Sequence, residues 1–284
     1  MKRKKFIQVI SFLILRGCAY LILAVLLLFI YDIASKGGAV ISWEFLTQAP
    51  RRGMTEGGIF PAIVGTFLVT MVTAVISIPV GVFAAIYLNE YARQTRLTRI
   101  IRLSIRNLSG VPSIVYGLFG VILFVNAMKF GTSLLSAGLT LGLLTLPWTI
   151  TASEEALKTV PQSFREGALA LGASKWQTIR TNVLPYSFSG IITGTVLGLA
   201  RAAGETAPIM FTGAAFYLPS LPHSLKDQFM ALPYHLYVMA TQHHSIIKVR
   251  PLAYGTALVL LMLILAINLG AYITRYRLRK IKME

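Results

Sequence analysis

The sequence predicts an all-α integral membrane protein with six transmembrane helices, and two observations lead to this fold class. Of the 284 residues, 55% are hydrophobic and only 13% are charged, whereas a soluble domain carries about 25% charged residues. The apolar residues are also gathered into six long blocks that contain no charge. These blocks are residues 17–30, 59–88, 108–128, 131–152, 186–200 and 252–274.

Each block is assigned to one membrane-spanning helix, because most approach the ~20 residues that cross a hydrocarbon layer of about 30 Å. The first is short but continues through residues 31–34, with Asp32 as its only charge. Pro61 and Pro112 stand in the first turns of the second and third spans, where proline costs little. The fifth span is expected to continue through a charged pair to Phe211.

The basic residues predict the orientation of these helices. With the N-terminus placed in the cytoplasm, the inner segments hold eighteen Lys and Arg residues and the outer segments hold seven. This asymmetry follows the positive-inside rule, so both termini are expected in the cytoplasm. The net charge of +17 is therefore an orientation signal, and no nucleic-acid partner is expected.

The longest outer segment, residues 214–251, contains an apolar stripe with alternating spacings of four and three. The pattern predicts a helix, interrupted at Pro233, that packs onto the bundle or docks a partner. The same segment holds all four histidines, but no acidic or cysteine ligands accompany them, so no metal or cofactor is expected. The stripe consists of Leu225, Phe229, Leu232, Leu236 and Met239.

The inner segment between the fourth and fifth spans, residues 153–185, does not have the composition of a linker. Two short stretches with helical periodicity flank Gly172, which is the kind of residue that a helix–turn–helix needs at its turn. Within it, EGALALGASKWQTIRTNVLP resembles the coupling loop of ABC importer permeases, whose pattern is E-A-A, three residues, G, nine residues, I, one residue, L-P. The matching positions are Glu166, Ala168, Gly172, Leu184 and Pro185.

Two positions of this stretch depart from the pattern. Gly167 stands where the pattern has alanine, and Asn182 replaces its isoleucine. The resemblance implies that the matching residues, together with Gly167, dock on a separate ATPase. The chain contains no G-x-x-x-x-G-K-[ST] motif and cannot build a P-loop of its own. It is therefore expected to be a transport subunit and not an enzyme.

The stretch LARAAGETAPIMFTG places Arg201 and Glu205 among small and apolar neighbours. Each charge costs about 2.5–3.5 kcal/mol to insert into a membrane, and ionisable groups at such depth are functional by default. The two residues are four apart and are expected on one face of a helix, near the middle of a span over residues 190–211. The alternative is an ion pair that only holds helices together.

A ladder of small residues, Gly190, Gly194 and Gly198, precedes the charged pair and predicts close approach of another helix. A guanidinium is well suited to bind an oxyanion such as phosphate. A carboxylate beside it should repel the anion unless the anion carries a proton. Phosphate keeps an O–H near neutrality and sulfate does not, so Glu205 could select phosphate by accepting that hydrogen bond.

Three stretches, RAAGETAPIMFT, GVPSIVYGLFG and IPVGVFAAIYLNEYA, are together similar to PstA-type permeases of bacterial phosphate importers, over residues 41–275. The resemblance implies a type I ABC importer permease fold. It also implies a second, PstC-like permease, PstB-like ATPase subunits and a PstS-like phosphate-binding protein outside. Arg201, Glu205 and Thr206 are the expected residues of the substrate pathway. Thr151 stands where many members have an arginine.

These inferences divide the chain into residues 1–58, with the first span and an outer loop, a permease core of residues 59–276, and a basic tail of residues 277–284. The predicted function is the membrane subunit of an ATP-driven phosphate importer. Two alternatives stay open. One is an ABC permease for sulfate, molybdate or phosphonate, and the other is an ion-coupled secondary transporter in which the charged pair relays protons or ions.

Overall fold

The computed structural model describes the backbone of residues 2–281 and the side chains of residue 8 and residues 10–277. The described chain is mostly helical, with a short hairpin of β1 (Pro50–Arg51) and β2 (Glu56–Gly57) between α2 and α3. Its helices are α1 (Lys2–Gly38), α2 (Trp43–Thr47), α3 (Phe60–Ile86), α4 (Arg96–Leu108), α5 (Ser113–Gly120), α6 (Leu134–Lys158), α7 (Gln162–Ala170), α8 (Lys175–Thr178), α9 (Leu184–Ala203), α10 (Ala207–Thr212), α11 (Leu232–Thr241) and α12 (Ile246–Ile281).

Three π-helical turns modify this order. Tyr87–Tyr91 extends α3, Val121–Ala127 extends α5, and Ile179–Val183 joins α8 to α9. The third of these turns precedes Pro185, which has no N–H to donate and whose ring crowds the carbonyl four residues earlier. A locally widened helix relieves this conflict without breaking the rod.

Five helical segments are long and apolar enough to cross a membrane, which agrees with five of the six expected spans. They are Ile10–Gly38, Phe60–Tyr91, Leu134–Lys158, Lys175–Ala203 and Ile246–Arg277. The sixth candidate is a bent pair, Arg96–Leu108 followed by Ser113–Ala127, with an angle of 100° between the two parts. The third span expected over residues 108–128 corresponds to the second part of this pair, and its expected start at residue 108 is wrong, because the helix begins at Ser113.

The bend has a local cause in the sequence. Pro112 is the N-cap of α5 with extended-type ψ of 139°, and a residue that precedes a proline is disfavoured in helical conformation. The chain therefore leaves α4 at Leu108 and cannot resume a helix before Ser113. The apolar composition of this region predicts a membrane-spanning segment, but it does not predict that the chain changes direction there.

The expected continuation of the fifth span to Phe211 is also wrong. α9 ends at Ala203, with Gly204 as its C-cap, and α10 begins again with Pro208 in its first turn. Glycine is a poor helix former and proline cannot donate a backbone hydrogen bond, so their close spacing ends one helix and starts another.

In the outer segment, the helix begins only at Leu232, so the helical stripe predicted from Leu225 onward is wrong over residues 225–231. Pro233 lies in the first turn of α11 and starts the helix instead of splitting it. The expected packing onto the bundle is confirmed for its buried members: Phe229 and Leu232 are 0% exposed and Met239 is 1% exposed.

The bundle is organised around α6, which packs against both α3 and α9, and these two helices also contact each other. The predicted ladder of small residues provides the contact with α9, because none of its glycines has a side chain to hold the two helices apart. A Cβ added at any of these glycines would meet a side chain of α6. In order, Gly190, Gly194 and Gly198 face Ala156, Ala152 and Trp148.

We expect Gly194→Leu to destabilise the bundle by about 1–3 kcal/mol, because a larger side chain must push α9 away from Ala152 of α6. The measurement is the midpoint of SDS-induced unfolding of the purified protein in a mild detergent. Gly17→Leu in α1 is the matched control, since no atom lies within 4 Å of a Cβ added there. Equal midpoints for the two variants would contradict the close α6–α9 contact.

Candidate functional site

Arg201 lies in the last turn of α9 and lines a cavity of about 250 Å³. The other walls of this cavity are the connection between α4 and α5, represented by Ser109 and Pro112, and the middle of α6, represented by Thr145 and Trp148. The cavity thus lies where the broken third span meets the end of α9.

The packing of α9 on α6 fixes the depth of this cavity. Gly198 faces Trp148, and the cavity extends to Leu144 and Thr145, near the middle of the helix that runs from Leu134 to Lys158. Arg201 is therefore about halfway along α6, although it is near the end of its own helix. A guanidinium at this depth is costly unless it faces water or a ligand.

Arg201 and Glu205 are brought together, as the sequence predicts, but across the end of a helix instead of along its face. The Nε atom of Arg201 lies 3.6 Å from the Oε1 atom of Glu205, and the two side chains are 60% and 16% exposed. The pair is local to one turn and half open, so it contributes little to stability. An ion pair whose role was to hold helices together would be buried between them.

The Arg201 guanidinium keeps its donors available. Guanidinium carries five N–H donors, and none of them makes a hydrogen bond within the part of the chain that the structure describes. Ser109, Ser113 and Tyr116 add hydroxyl groups to the cavity wall. A cation with free donors, beside hydroxyl groups in a cavity, can bind an oxyanion.

The three predicted pathway residues occupy different positions. Arg201 lines the cavity, Glu205 contacts Arg201, and Thr206 is the N-cap of α10 without a side-chain capping bond. Thr151 lies one turn from Trp148 on α6, with its hydroxyl donating to the Pro147 carbonyl at 2.8 Å. Sequence analysis missed the cavity wall formed by residues 109–113, although the combination of Gly110 and Pro112 could have indicated a break there.

The predicted helix–turn–helix of the inner segment is confirmed. α7 is followed by a turn in which Gly172 has a φ of +84°, a conformation that other residues adopt only at a cost. Ser174 and Gln177 then form a reciprocal capping box at the start of α8. Of the residues matched to the coupling loop, Glu166 and Gly167 are exposed on α7, and Ala168 is half-buried.

Leu184 and Pro185 lie outside this turn. They begin α9, inside the continuous segment Lys175–Ala203 that starts directly after the turn. Within the described residues, no group of three or more His, Cys, Asp or Glu side chains could hold a metal ion.

Comparison with known proteins places these features in a family. A family model described as binding-protein-dependent transport system inner membrane component matches residues 77–280. The chain is 33% identical to the probable ABC transporter permease protein YqgI of Bacillus subtilis (strain 168), over 89% of this chain and 90% of the relative. It is 37% identical to the phosphate transport system permease protein PstA 1 of Mycobacterium tuberculosis (strain CDC 1551 / Oshkosh), over 78% of this chain and 71% of the relative.

Solved structures with the same fold include the MetNI methionine ABC transporter in an inward-facing conformation, with a TM-score of 0.59 and 18% identity over 78% of this chain and 94% of that chain. A bacterial ABC transporter involved in the import of alginate matches with a TM-score of 0.58 and 12% identity, over 84% of both chains. These likenesses confirm the type I ABC importer permease fold. The chain therefore belongs to the family of binding-protein-dependent transport system inner membrane components, and it matches PstA-type members over most of its length.

Proposed function

We propose that this chain is the transmembrane permease subunit of an ATP-driven phosphate importer, in which it forms half of the translocation pathway. One observation carries the proposal. A single helical segment, Lys175–Ala203, connects Arg201 to the turn at Gly172 between α7 and α8, here named the coupling turn. Its 29 residues correspond to about 43 Å at 1.5 Å per residue. A displacement of the cytoplasmic turn can therefore reach the cavity through one rod.

The substrate follows from the chemistry of the charged pair and from the relatives. The forked guanidinium of Arg201 suits an oxyanion, and Glu205 at 3.6 Å disfavours an anion that has no proton to donate. Phosphate meets both conditions near neutral pH and sulfate does not. The matched PstA relatives of Mycobacterium and Haemophilus are phosphate transport permeases by name, which favours phosphate over other oxyanions.

The proposed partners follow from the lack of a P-loop in the chain and from the exposure of α7 and of the cavity at Arg201. It has no P-loop, so ATP hydrolysis belongs to separate, PstB-like subunits that dock on the exposed α7. The cavity at Arg201 is open in the isolated chain, since 60% of this side chain is exposed. A second, PstC-like permease would close it and complete the pathway. A PstS-like binding protein would deliver phosphate to the outer face.

The same proposal covers the placement of the chain. It is a multi-pass protein of the bacterial inner membrane with both termini in the cytoplasm, an orientation supported by the distribution of Lys and Arg. Residues 59–276 form the permease core with the coupling segment at 153–185, and residues 1–58 and 277–284 are additions at its two ends. Transport proceeds by alternating access, in which ATP binding moves α7 and opens the bundle outward.

Replacing Arg201 by Gln tests the anion site. We expect at least a tenfold loss of phosphate uptake, because hydrogen bonds to a charged group contribute about 1.5–3 kcal/mol. Labelled phosphate uptake, with excess sulfate present, is measured in phosphate-starved cells lacking the native gene. Arg16→Gln, which removes an exposed arginine from α1, is the control. Normal uptake by Arg201→Gln would assign Arg201 a structural role, and no sulfate-insensitive uptake by the wild type would exclude phosphate.

Replacing Glu205 by Gln tests selectivity separately from affinity. We expect phosphate uptake to continue but sulfate to become a competitor, with the preference for phosphate falling about tenfold as the repulsive carboxylate is removed. The measurement is the sulfate concentration that halves phosphate uptake. If the variant transports normally and the sulfate concentration that halves its uptake equals that of the wild type, Glu205 does not select the anion by accepting a hydrogen bond from its O–H group.

The coupling turn offers a matched pair of glycine substitutions, since an added Cβ meets no atom within 4 Å at either Gly167 or Gly172. Gly172→Ala is expected to distort the turn, because a side chain at a φ of +84° costs about 1–2 kcal/mol. Gly167→Ala replaces a helical glycine and should gain up to about 1 kcal/mol. The ATPase that co-purifies with the tagged permease should fall for the first variant only. If both variants retain the same amount of ATPase, the conformation of the turn is not needed for ATPase docking.

A further inference from the structure

The helix that would receive the ATPase, α7, has few apolar contacts with the rest of the bundle. None of its residues is fully buried, and Phe164 and Leu169 are 46% and 49% exposed. Among its described side chains, only Arg165 and Ala168 are partly buried. The apolar contacts that hold most helices to a protein core are therefore scarce on α7. One is the contact of the Phe164 ring with the Tyr186 ring of α9, with 5.3 Å between their centroids, and the polar contacts of α7 are centred on Arg165.

Arg165 makes five hydrogen bonds that reach two other helical segments. Its Nη2 and Nε atoms approach both carboxylate oxygens of Glu90, the shortest distance being 2.7 Å from Nη2 to Oε1. Its Nη1 atom donates to the Val160 carbonyl at 2.8 Å and Nη2 donates to the Leu157 carbonyl at 3.1 Å. The Arg165 and Glu90 side chains are only 14% and 7% exposed, so this forked ion pair is largely shielded from water.

Glu90 lies in the π-helical turn that ends the span Phe60–Tyr91. The neighbouring carbonyl of Leu88 accepts a hydrogen bond of 2.7 Å from Arg102 of α4. The Arg102 Nε atom in turn lies 2.8 Å from a Glu154 oxygen of α6, although these two atoms are not aligned for a hydrogen bond. The inner end of α3 is thus fixed by polar contacts on both sides, and Arg165 joins it to α7 through Glu90. A weaker contact joins the same end to α8, where the Lys175 Nζ atom lies 4.9 Å from the centroid of the Tyr91 ring.

The coupling segment, residues 153–185, thus has a covalent route to α9 and a set of non-covalent contacts, of which the buried Arg165–Glu90 pair is the closest contact with α3. The covalent route runs from the Gly172 turn along Lys175–Ala203 to Arg201. We propose that the second route is the Arg165–Glu90 pair, which transmits movement of α7 to the inner end of α3 and so makes Arg165 and Glu90 positioning residues for transport. The inference rests on the proposed function only in that an ATPase displaces α7; it does not depend on which anion is carried.

The test measures the movements of α3 and α9 separately, in the complete complex of this chain with its partner permease and ATPase. In a Cys18→Ser background, one spin-label pair joins Tyr87→Cys on the α3 extension to Tyr276→Cys on α12. A second pair joins Phe188→Cys on α9 to the same α12 position. All three positions are exposed, by 59%, 65% and 49% respectively. Distances are compared between the nucleotide-free complex and the complex with Mg²⁺ and the non-hydrolysable ATP analogue AMP-PNP.

The variants are Glu90→Gln, Arg165→Gln and the double charge swap Glu90→Arg with Arg165→Glu. Glu155→Gln is the control, because Glu155 pairs with Lys158 nearby but is 65% exposed. In the wild type and the control, both distances should change with nucleotide. In each single variant the change at α3 should fall at least twofold while the change at α9 persists, and the charge swap should restore part of the α3 response.

Three results would overturn the proposal. One is an α3 response that survives in both single variants. Another is an equal loss of the α3 and α9 responses in the single variants, because the Arg165–Glu90 pair would then only hold α7 in place. The third is a wild-type complex in which α3 does not move. Phosphate uptake is measured on the same samples. If α3 and α9 of the wild type move as expected but no phosphate is carried, the proposed substrate is refuted and the proposal for the Arg165–Glu90 pair still stands.

Discussion

The close packing of α6 against α3 and α9 is the interaction on which the rest of the structure depends. Helices in a membrane gain nothing from hiding apolar surface from lipid, so their association needs close backbone approach through small residues. Gly138 of α6 meets Val72 of α3, and Ala152, farther along α6, meets Gly194 of α9. Held in this way, the middle of α6 supplies Thr145 and Trp148 to the cavity, and its inner end supplies the Leu157 carbonyl that accepts a hydrogen bond from Arg165. Both functional regions inherit their geometry from this one helix.

The two breaks in the bundle obey a second constraint. Backbone groups freed inside a bilayer must find partners in protein or in water, so irregular backbone is stable there only beside a cavity or other protein. The break at residues 109–112 lines the cavity, and the break at residues 204–206 directly follows Arg201. The candidate site therefore lies where two helices are interrupted at the same level. The N–H donors of Arg201 that make no hydrogen bond are compatible with that position, because the cavity gives them access to water or to an anion.

Local patterns in the sequence were sufficient for some of these features and not for others. The five straight spans follow from apolar length alone, and the coupling turn follows from Gly172 between two short amphipathic stretches. The bend before α5 and the end of α9 were missed, because an apolar block carries no information on chain direction. Arg165 counted only as an orientation charge, since its partner Glu90 is 75 positions away. Contacts over such distances in sequence come from the fold, and a local pattern does not contain them.

The two arginines are paired differently, and the difference fits the two roles proposed for them. Arg165 lies 2.7 Å from its carboxylate and is 14% exposed, and two carbonyls accept its further donors. Arg201 lies 3.6 Å from its carboxylate and is 60% exposed. A group that transmits force must have its donors satisfied within the protein, because a contact shared with water yields when the helix is displaced. A group that binds and releases an anion must keep donors free, because a saturated guanidinium would have nothing to offer the substrate. The pairing of each arginine therefore indicates its role more directly than its position in the sequence does.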